Sequence, residues 1–154
     1  MWDRLRKQIE VEIEQLQHLL ATYRPLLEES KEAAPTEIEL SALAAMLHSF
    51  YTGVENIFKR VAVEVDKDMP RGEMWHRDLL ERMGRGSRFR RPVISPSLKE
   101  RLREYLEFRH VFRQAYSFQL RWDKMRSLVS DCQQLLHSLR NELEAFLRTR
   151  GPKT

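Results

Sequence analysis

The residues best suited to chemistry are concentrated between positions 103 and 118 of the chain. This segment combines arginines with a histidine, an amide and a phenol: Arg103, Arg109, His110, Arg113, Gln114 and Tyr116. On a helix, Arg109, Arg113 and Tyr116 share one face, and the other three lie along an adjacent stripe. Arginine binds phosphate oxygens bidentately, and a histidine that titrates near neutral pH can move protons. The strip is suited to cleaving a phosphodiester without a metal ion, although a solvated helix face carries similar residues.

Stretches at residues 37–57, 74–80 and 108–116 together resemble one known family. They are similar to the HepT-like branch of the HEPN proteins, which are helical partners of minimal nucleotidyltransferases in prokaryotic toxin–antitoxin pairs. The resemblance covers residues 37–146. Its most specific stretch is 108–116, which follows the family motif Arg-x4-His-x-Tyr.

The chain contains two of the three residues that define the family motif. The motif arginine is Arg109 and the motif tyrosine is Tyr116, but Gln114 stands at the histidine position. Glutamine forms hydrogen bonds but cannot exchange a proton near pH 7. A second frame is Arg103 with His110, which lies one helical turn before Gln114. Either His110 performs the acid–base work, or the protein keeps binding without catalysis.

The resemblance implies a set of partners and an activity. In such proteins two copies pair so that their motif helices line one cleft, where the arginine and histidine cut RNA without a metal ion or cofactor. The nucleotidyltransferase partner can modify the motif tyrosine with AMP, which here would be Tyr116. We therefore expect a homodimeric endoribonuclease of a toxin–antitoxin system. The alternative is an inactive scaffold for the nucleotidyltransferase, which Gln114 favours.

The composition predicts an all-α fold in a single domain over residues 1–154. Hydrophobic residues make up 42% of the chain, charged residues 32%, and there are only 5 glycines. Apolar residues recur every three or four positions in four long segments, which is the helical period. The sequence predicts an up-and-down bundle of four long helices and one short helix, which positions the polar strip on its third long helix.

The predicted helices have recognisable starts and ends. The first occupies most of residues 1–34, and the second begins at Thr36 with a capping box and continues to about Asp66, with apolar residues on two faces. The third is predicted from a capping box at Ser97 to about Leu120. The fourth starts near Asp123 and ends before Gly151.

Residues 67–97 form what we call the basic connector. Prolines and glycines interrupt it, and it contains a predicted short helix over residues 75–83. The composition of its second half predicts a mobile loop. The arginines of this loop either follow an RNA backbone or face solvent. The candidate RNA-binding residues there are Arg85, Arg88, Arg90 and Arg91.

Other classes of protein are disfavoured. Cys132 is the single cysteine, so neither an intrachain disulfide nor a cysteine-based zinc site is expected. The chain shows no signal-peptide pattern and no membrane-length apolar run, so we expect a cytoplasmic protein. His48 and His76 are interpreted as packing or capping histidines rather than metal ligands. Glu55 is interpreted as part of a surface turn, with a buried positioning role as the alternative.

Overall fold

The computed structural model describes residues 2–112, 116 and 119–149. Within these residues the chain is helical, and the predicted bundle of four long helices and one short helix is confirmed. The helices are α1 (Trp2–Glu29), α2 (Glu37–Val61), α3 (Trp75–Met83), α4 (Pro96–Phe112) and α5 (Trp122–Thr149). A π-helical turn, Ala62–Asp66, extends α2 by five residues. None of the described helices is both long and apolar enough to span a membrane.

Helix α2 occupies the centre of the bundle and contacts each of the other four helices. Its two apolar faces explain this position, because residues such as Phe50 and Ile57 on one face and Phe58 on the other are fully buried. The predicted capping box starts the helix. The Glu39 amide donates to the Thr36 hydroxyl at 3.2 Å, and the Thr36 amide donates to the Glu39 carboxylate at 2.9 Å.

Gly53 permits a close approach of α1 to α2. A Cβ atom at this position would lie 2.5 Å from Leu16 Cδ2, which is inside van der Waals contact. Leu16 is itself buried, so it has little room to move aside. The absence of a side chain at Gly53 therefore sets the spacing between α1 and the central helix.

The start of α4 differs from the sequence prediction by two residues. Ser95, not Ser97, caps the helix, since its hydroxyl accepts the Leu98 amide at 3.1 Å. Pro96 then takes the first helical position, where its missing N–H is not needed. Glu142 of α5 accepts bonds from the Ser95 amide at 2.6 Å and from its hydroxyl at 2.9 Å. This tertiary contact explains why the earlier serine is used.

The end of α4 also differs from the prediction of a helix to about Leu120. The described helix ends at Phe112, and Tyr116 is not helical. The Tyr116 amide donates to the Gln119 side chain at 2.8 Å, and the Gln119 amide donates to the Tyr116 carbonyl at 2.9 Å. A side chain that bonds nearby backbone in this way offers an alternative to the helical ladder.

The basic connector is organised around a buried arginine. Arg90 donates all five of its N–H groups, two to Asp66 at 2.7 and 3.0 Å and three to the carbonyls of Arg82, Arg85 and Arg91. Its side chain is only 1% exposed. The prediction that the arginines of this segment face RNA or solvent is therefore wrong for Arg90, because Asp66 at the end of the π-helical turn binds its buried side chain.

Candidate functional site

Arg109 is buried against one face of α2. Its guanidinium Nη2 donates to Glu55 Oε2 at 3.0 Å, and Nη1 approaches the Thr52 hydroxyl at 3.4 Å. The guanidinium also lies over the Tyr51 ring, 4.9 Å from its centroid. The side chains of Arg109 and Glu55 are only 7% and 5% exposed. The pair is thus largely removed from water. Its mutual attraction is stronger in the protein interior than it would be in solvent.

His76, at the N-terminal end of α3, completes a cluster with Glu55 and Arg109. Its Nδ1 lies 2.7 Å from Glu55 Oε2 and 2.8 Å from Arg109 Nη2. One ring nitrogen cannot bond both groups at once, because it donates to Glu55 when protonated and accepts from Arg109 when not. We call these three residues the Glu–His–Arg cluster.

The ring of His76 is held from a second side by Trp75. The two rings stack with centroids 3.7 Å apart, and Lys59 lies 4.9 Å from the Trp75 ring centroid. Aromatic stacking and cation–π contact each add to the energy of packing. His76 is therefore fixed in orientation although 30% of its side chain is exposed.

The pKa of Tyr51 reflects the burial and the charges beneath this cluster. Burial and the negative charge of Glu55 raise the pKa of Tyr51 above its ordinary value, while the Arg109 cation partly opposes the rise. Tyr51 therefore stays neutral at physiological pH, and Glu55 is the carboxyl group paired with Arg109.

A cleft of about 340 Å³ opens between α3, α4 and the segment before α3. We call it the Arg–His cleft. It is lined by Glu73, Met74, His76, Arg77, Arg103, Leu106, Glu107, Arg109, His110 and Val111. Its charged lining consists of three arginines and two carboxylates. Arg109 is buried against Glu55, so Arg77 and Arg103 are the arginines that an anionic ligand in the cleft can reach.

Arg103 is tied to the wall of the Arg–His cleft. It forms a salt bridge with Glu81 of α3, which Lys99 also binds at 2.9 Å, and it lies 3.5 Å from Glu100. The hydrogen bond from Lys99, together with the charges of Lys99 and Arg103, holds the pKa of Glu81 below its usual range. Helices α3 and α4 are thus clamped together beside the cleft.

Comparison with known proteins gives the family. A sequence model described as HepT-like protein matches residues 42–150 of the chain. The chain belongs to the HepT-like family. The match includes α2 from its sixth residue and the whole of α3, α4 and α5, so every member of the Glu–His–Arg cluster lies within it. No curated protein and no solved structure matches the chain.

The structure brings together only some of the motif residues expected in this HepT-like protein. Arg103 and His110 both line the Arg–His cleft, with His110 exposed on α4. Arg109 also borders the cleft, but its guanidinium is buried in the Glu–His–Arg cluster. Arg113 and Gln114 lie outside the described residues. Tyr116 lies beyond the described part of α4 and is 70% exposed.

The basic connector of the HepT-like chain divides into exposed and buried arginines. Arg85, Arg88 and Arg91 are exposed, whereas Arg90 is buried with every donor already bonded. In this arrangement Arg90 has no N–H group to offer a phosphate. Arg88 lies over the exposed Phe89 ring, with its guanidinium carbon 5.4 Å from the ring centroid.

The preferred interpretation of Glu55 as part of a surface turn is wrong, because Glu55 lies in the middle of α2; its buried pairing with Arg109 agrees with the alternative of a positioning role. His76 packs on Trp75, as one of its interpretations stated, and it also contacts Glu55 and Arg109, which was not predicted. A signal for Glu55 was present, because Tyr51 and Phe58 place it on a buried helical face where a charge needs a partner. Nothing in the sequence pairs His76 with residues 21 and 33 positions away. No group of three metal-ligating residues is found in the described ranges.

Proposed function

We propose that this HEPN-type protein is an endoribonuclease that cleaves RNA at the Arg–His cleft without requiring a metal ion. The observation that carries the proposal is the convergence of His76, Arg77, Arg103 and His110 on one cleft. Arginines attract the phosphodiester and offset the extra negative charge of its transition state. Histidines supply proton transfer near neutral pH. The ribose 2′-hydroxyl attacks the adjacent phosphate, and this attack requires both charge stabilisation and proton transfer.

In this proposal His110 takes part in proton transfer and Arg103 contacts the substrate phosphate. Arg109 has a supporting role, because its guanidinium is already bonded to Glu55 and is 7% exposed. Arg113 and Gln114 are the next polar residues of the motif in the sequence. Arg85, Arg88 and Arg91 of the basic connector contact the RNA backbone farther from the cleft.

We also propose that the protein acts as a homodimer with a minimal nucleotidyltransferase as its partner. A cleft in one protomer holds few groups for a phosphodiester site, and two copies facing each other double them. The nucleotidyltransferase modifies the hydroxyl of Tyr116, and the high exposure of Tyr116 suits an acceptor. Such a pair operates as a toxin and its antitoxin.

A second candidate is a catalytically inactive partner of the nucleotidyltransferase. Two observations favour it: Gln114 replaces the motif histidine, and Arg109 is occupied by Glu55 within the fold. In this case the cleft binds RNA or the partner, and no bond is broken.

The decisive experiment incubates the purified protein with labelled single-stranded RNA in excess EDTA. Active wild type gives 2′,3′-cyclic phosphate ends, and His110→Ala lowers the rate by about 10²–10⁴-fold, the usual contribution of an acid–base group. His18→Ala is the matched control, since His18 is exposed on α1 and does not line the cleft. Intact RNA in every sample, with folding and dimerisation preserved, contradicts the endoribonuclease and favours the inactive partner.

A further inference from the structure

The pairing of His76 with a buried carboxylate has the form of an acid–base group. Glu55 is only 5% exposed, and its Oε2 lies 2.7 Å from Nδ1 of His76. When Nδ1 donates to a carboxylate, the neutral ring keeps its lone pair on Nε2. Nδ1 is the ring nitrogen that lies 2.7 Å from Glu55 and 2.8 Å from Arg109, and His76 is one of the residues that line the Arg–His cleft.

The surroundings of His76 hold this geometry in place. Trp75 stacks on the ring, so rotation of the imidazole would break an aromatic contact. Arg109 binds the same Glu55 oxygen at 3.0 Å, which keeps the carboxylate in position behind the ring. A histidine that only capped or packed would need neither the buried acid nor its second partner.

His110 has a different environment in the same cleft. It is exposed on α4, and it stands next to Arg109 in the chain. The cleft therefore contains one histidine that is oriented by a carboxylate and one that is open to solvent. Cleavage of RNA by its own 2′-hydroxyl needs two proton transfers, one from the attacking oxygen and one to the leaving oxygen.

We propose that His76, oriented by Glu55, is the general base of this cleft and that His110 is the general acid. The proposal rests on the endoribonuclease function proposed above and supplies the proton acceptor that Gln114 cannot provide. Glu55 is a positioning residue, because it acts through His76.

Two proton transfers accompany the exchange of bonds at phosphorus. Nε2 of His76 takes the proton of the ribose 2′-hydroxyl while the 2′-oxygen forms a bond to phosphorus. The bond from phosphorus to the 5′-oxygen breaks, and the departing oxygen takes a proton from the His110 imidazolium. The products are a 2′,3′-cyclic phosphate and a 5′-hydroxyl. Solvent then removes the proton from His76 and returns one to His110.

A substrate with a sulfur atom in place of the bridging 5′-oxygen separates the two roles. A thiolate leaves without being protonated, so this substrate needs a base but no acid. On normal RNA, His76→Ala and His110→Ala both lose about 10²–10⁴-fold in rate. On the sulfur substrate, His110→Ala returns to within about tenfold of wild type, whereas His76→Ala remains slow. His18→Ala behaves as wild type on both substrates.

Chemical rescue and ring spectroscopy give readouts that a structural role would not move. Added imidazole raises cleavage by His76→Ala, because it enters the space of the missing ring and accepts the proton. In the free wild-type protein, nitrogen NMR of the neutral His76 ring shows the proton on Nδ1. A proton on Nε2 would mean that Nδ1 accepts from Arg109 and would overturn the proposal.

The outcomes separate this inference from the function on which it rests. No cleavage of either substrate by folded wild type removes the endoribonuclease and the general base together. Cleavage by wild type with an unimpaired His76→Ala leaves the endoribonuclease standing and overturns the role of His76. Equal loss by the two variants on both substrates, without imidazole rescue, also overturns the assignment. Circular dichroism of each variant confirms that the compared proteins are folded.

Discussion

Arg90 in the basic connector and Arg109 in α4 are both buried arginines paired with a carboxylate, but they serve different regions. Arg90 binds Asp66 through two N–H groups and closes its loop by donating the other three to backbone carbonyls. Arg109 binds Glu55 and meets a histidine that borders the cleft. A saturated arginine holds a chain segment, whereas Arg109 shares its acid with an imidazole that lines the cleft and so belongs to the proposed site.

The basic connector and α4 both contribute positive charge to the molecule. The sequence presents the arginines of the connector and of α4 as equivalent candidates for binding RNA. Burial removes Arg90 from that surface and leaves Arg85, Arg88 and Arg91 exposed. A basic sequence stretch is therefore not yet a basic surface, because each buried guanidinium must use its donors within the protein.

Replacement of Arg90 should produce the largest loss of stability. Arg90→Ala leaves Asp66 without its cation and three carbonyls without a donor, and removing one member of a buried pair costs about 3–5 kcal/mol. Urea unfolding followed by circular dichroism measures the loss. Arg91→Ala is the matched control, because this exposed neighbour should change stability by less than about 0.5 kcal/mol. Equal losses for the two variants would contradict the anchoring role of Arg90.

Replacement of Glu55 should produce the second-largest loss of stability. A second substitution should restore the stability without restoring the activity. Glu55→Leu leaves Arg109 charged and unpaired, at a cost of about 3 kcal/mol. Adding Arg109→Met should restore most of the stability, since an apolar pair can replace a buried ion pair. RNA cleavage should remain low in the double variant, because His76 has lost its orienting acid. Recovery of full activity together with stability would contradict the proposed role of Glu55.

Alkaline pH should affect the Arg109 region through Tyr51. Its pKa is raised in the folded state, so its contribution to stability is fully present below about pH 10, the ordinary tyrosine value, and is lost as the pH rises further. Tyr51→Phe should flatten this decline while changing neutral stability by about 1 kcal/mol or less. Burial also raises the pKa of Cys132 to about 11, so a remaining decline above pH 9 is expected. Unfolding titrations from pH 8 to 11 test this, and an unchanged slope in Tyr51→Phe would contradict it.

The smallest effect is expected at Glu81, in the partly exposed clamp beside the cleft. Its pKa is lowered in the folded state, so its contribution is present above the ordinary glutamate value of about 4.3 and is lost as the pH falls. Glu81→Gln should cost at most about 1 kcal/mol at neutral pH, because solvent screens the pair. Thermal unfolding at pH 7 and pH 4 should show the cost shrinking at the lower pH. Glu104→Gln is the control, because Glu104 is exposed on α4 and is not part of the clamp.

Most of the fold could be predicted from periodicity and capping. The short helix α3 has the predicted bounds, and α2 is central as its two apolar faces indicate. The predicted cap of α4 lies two residues too late: Pro96 after Ser95 is a sequence signal for the earlier start, whereas the bonds from Ser95 to Glu142 that support it come only from tertiary packing. Within the candidate site, Arg103 and His110 on one cleft follow from helical spacing. Glu55 and His76 do not, because α2 and α3 meet there only through tertiary packing.

The sequence by itself determines that this chain is a helical HepT-like protein, because apolar period, caps and family stretches are local properties of the residues. The tertiary structure alone decides which charged groups face a ligand. The reason is that burying a charge requires a partner, and partners such as Glu55 for Arg109 or Asp66 for Arg90 are brought together from distant positions by packing. The same motif arginine that looks like a phosphate contact on a helical projection is directed inward, and a histidine from another helix reaches it at the edge of the cleft.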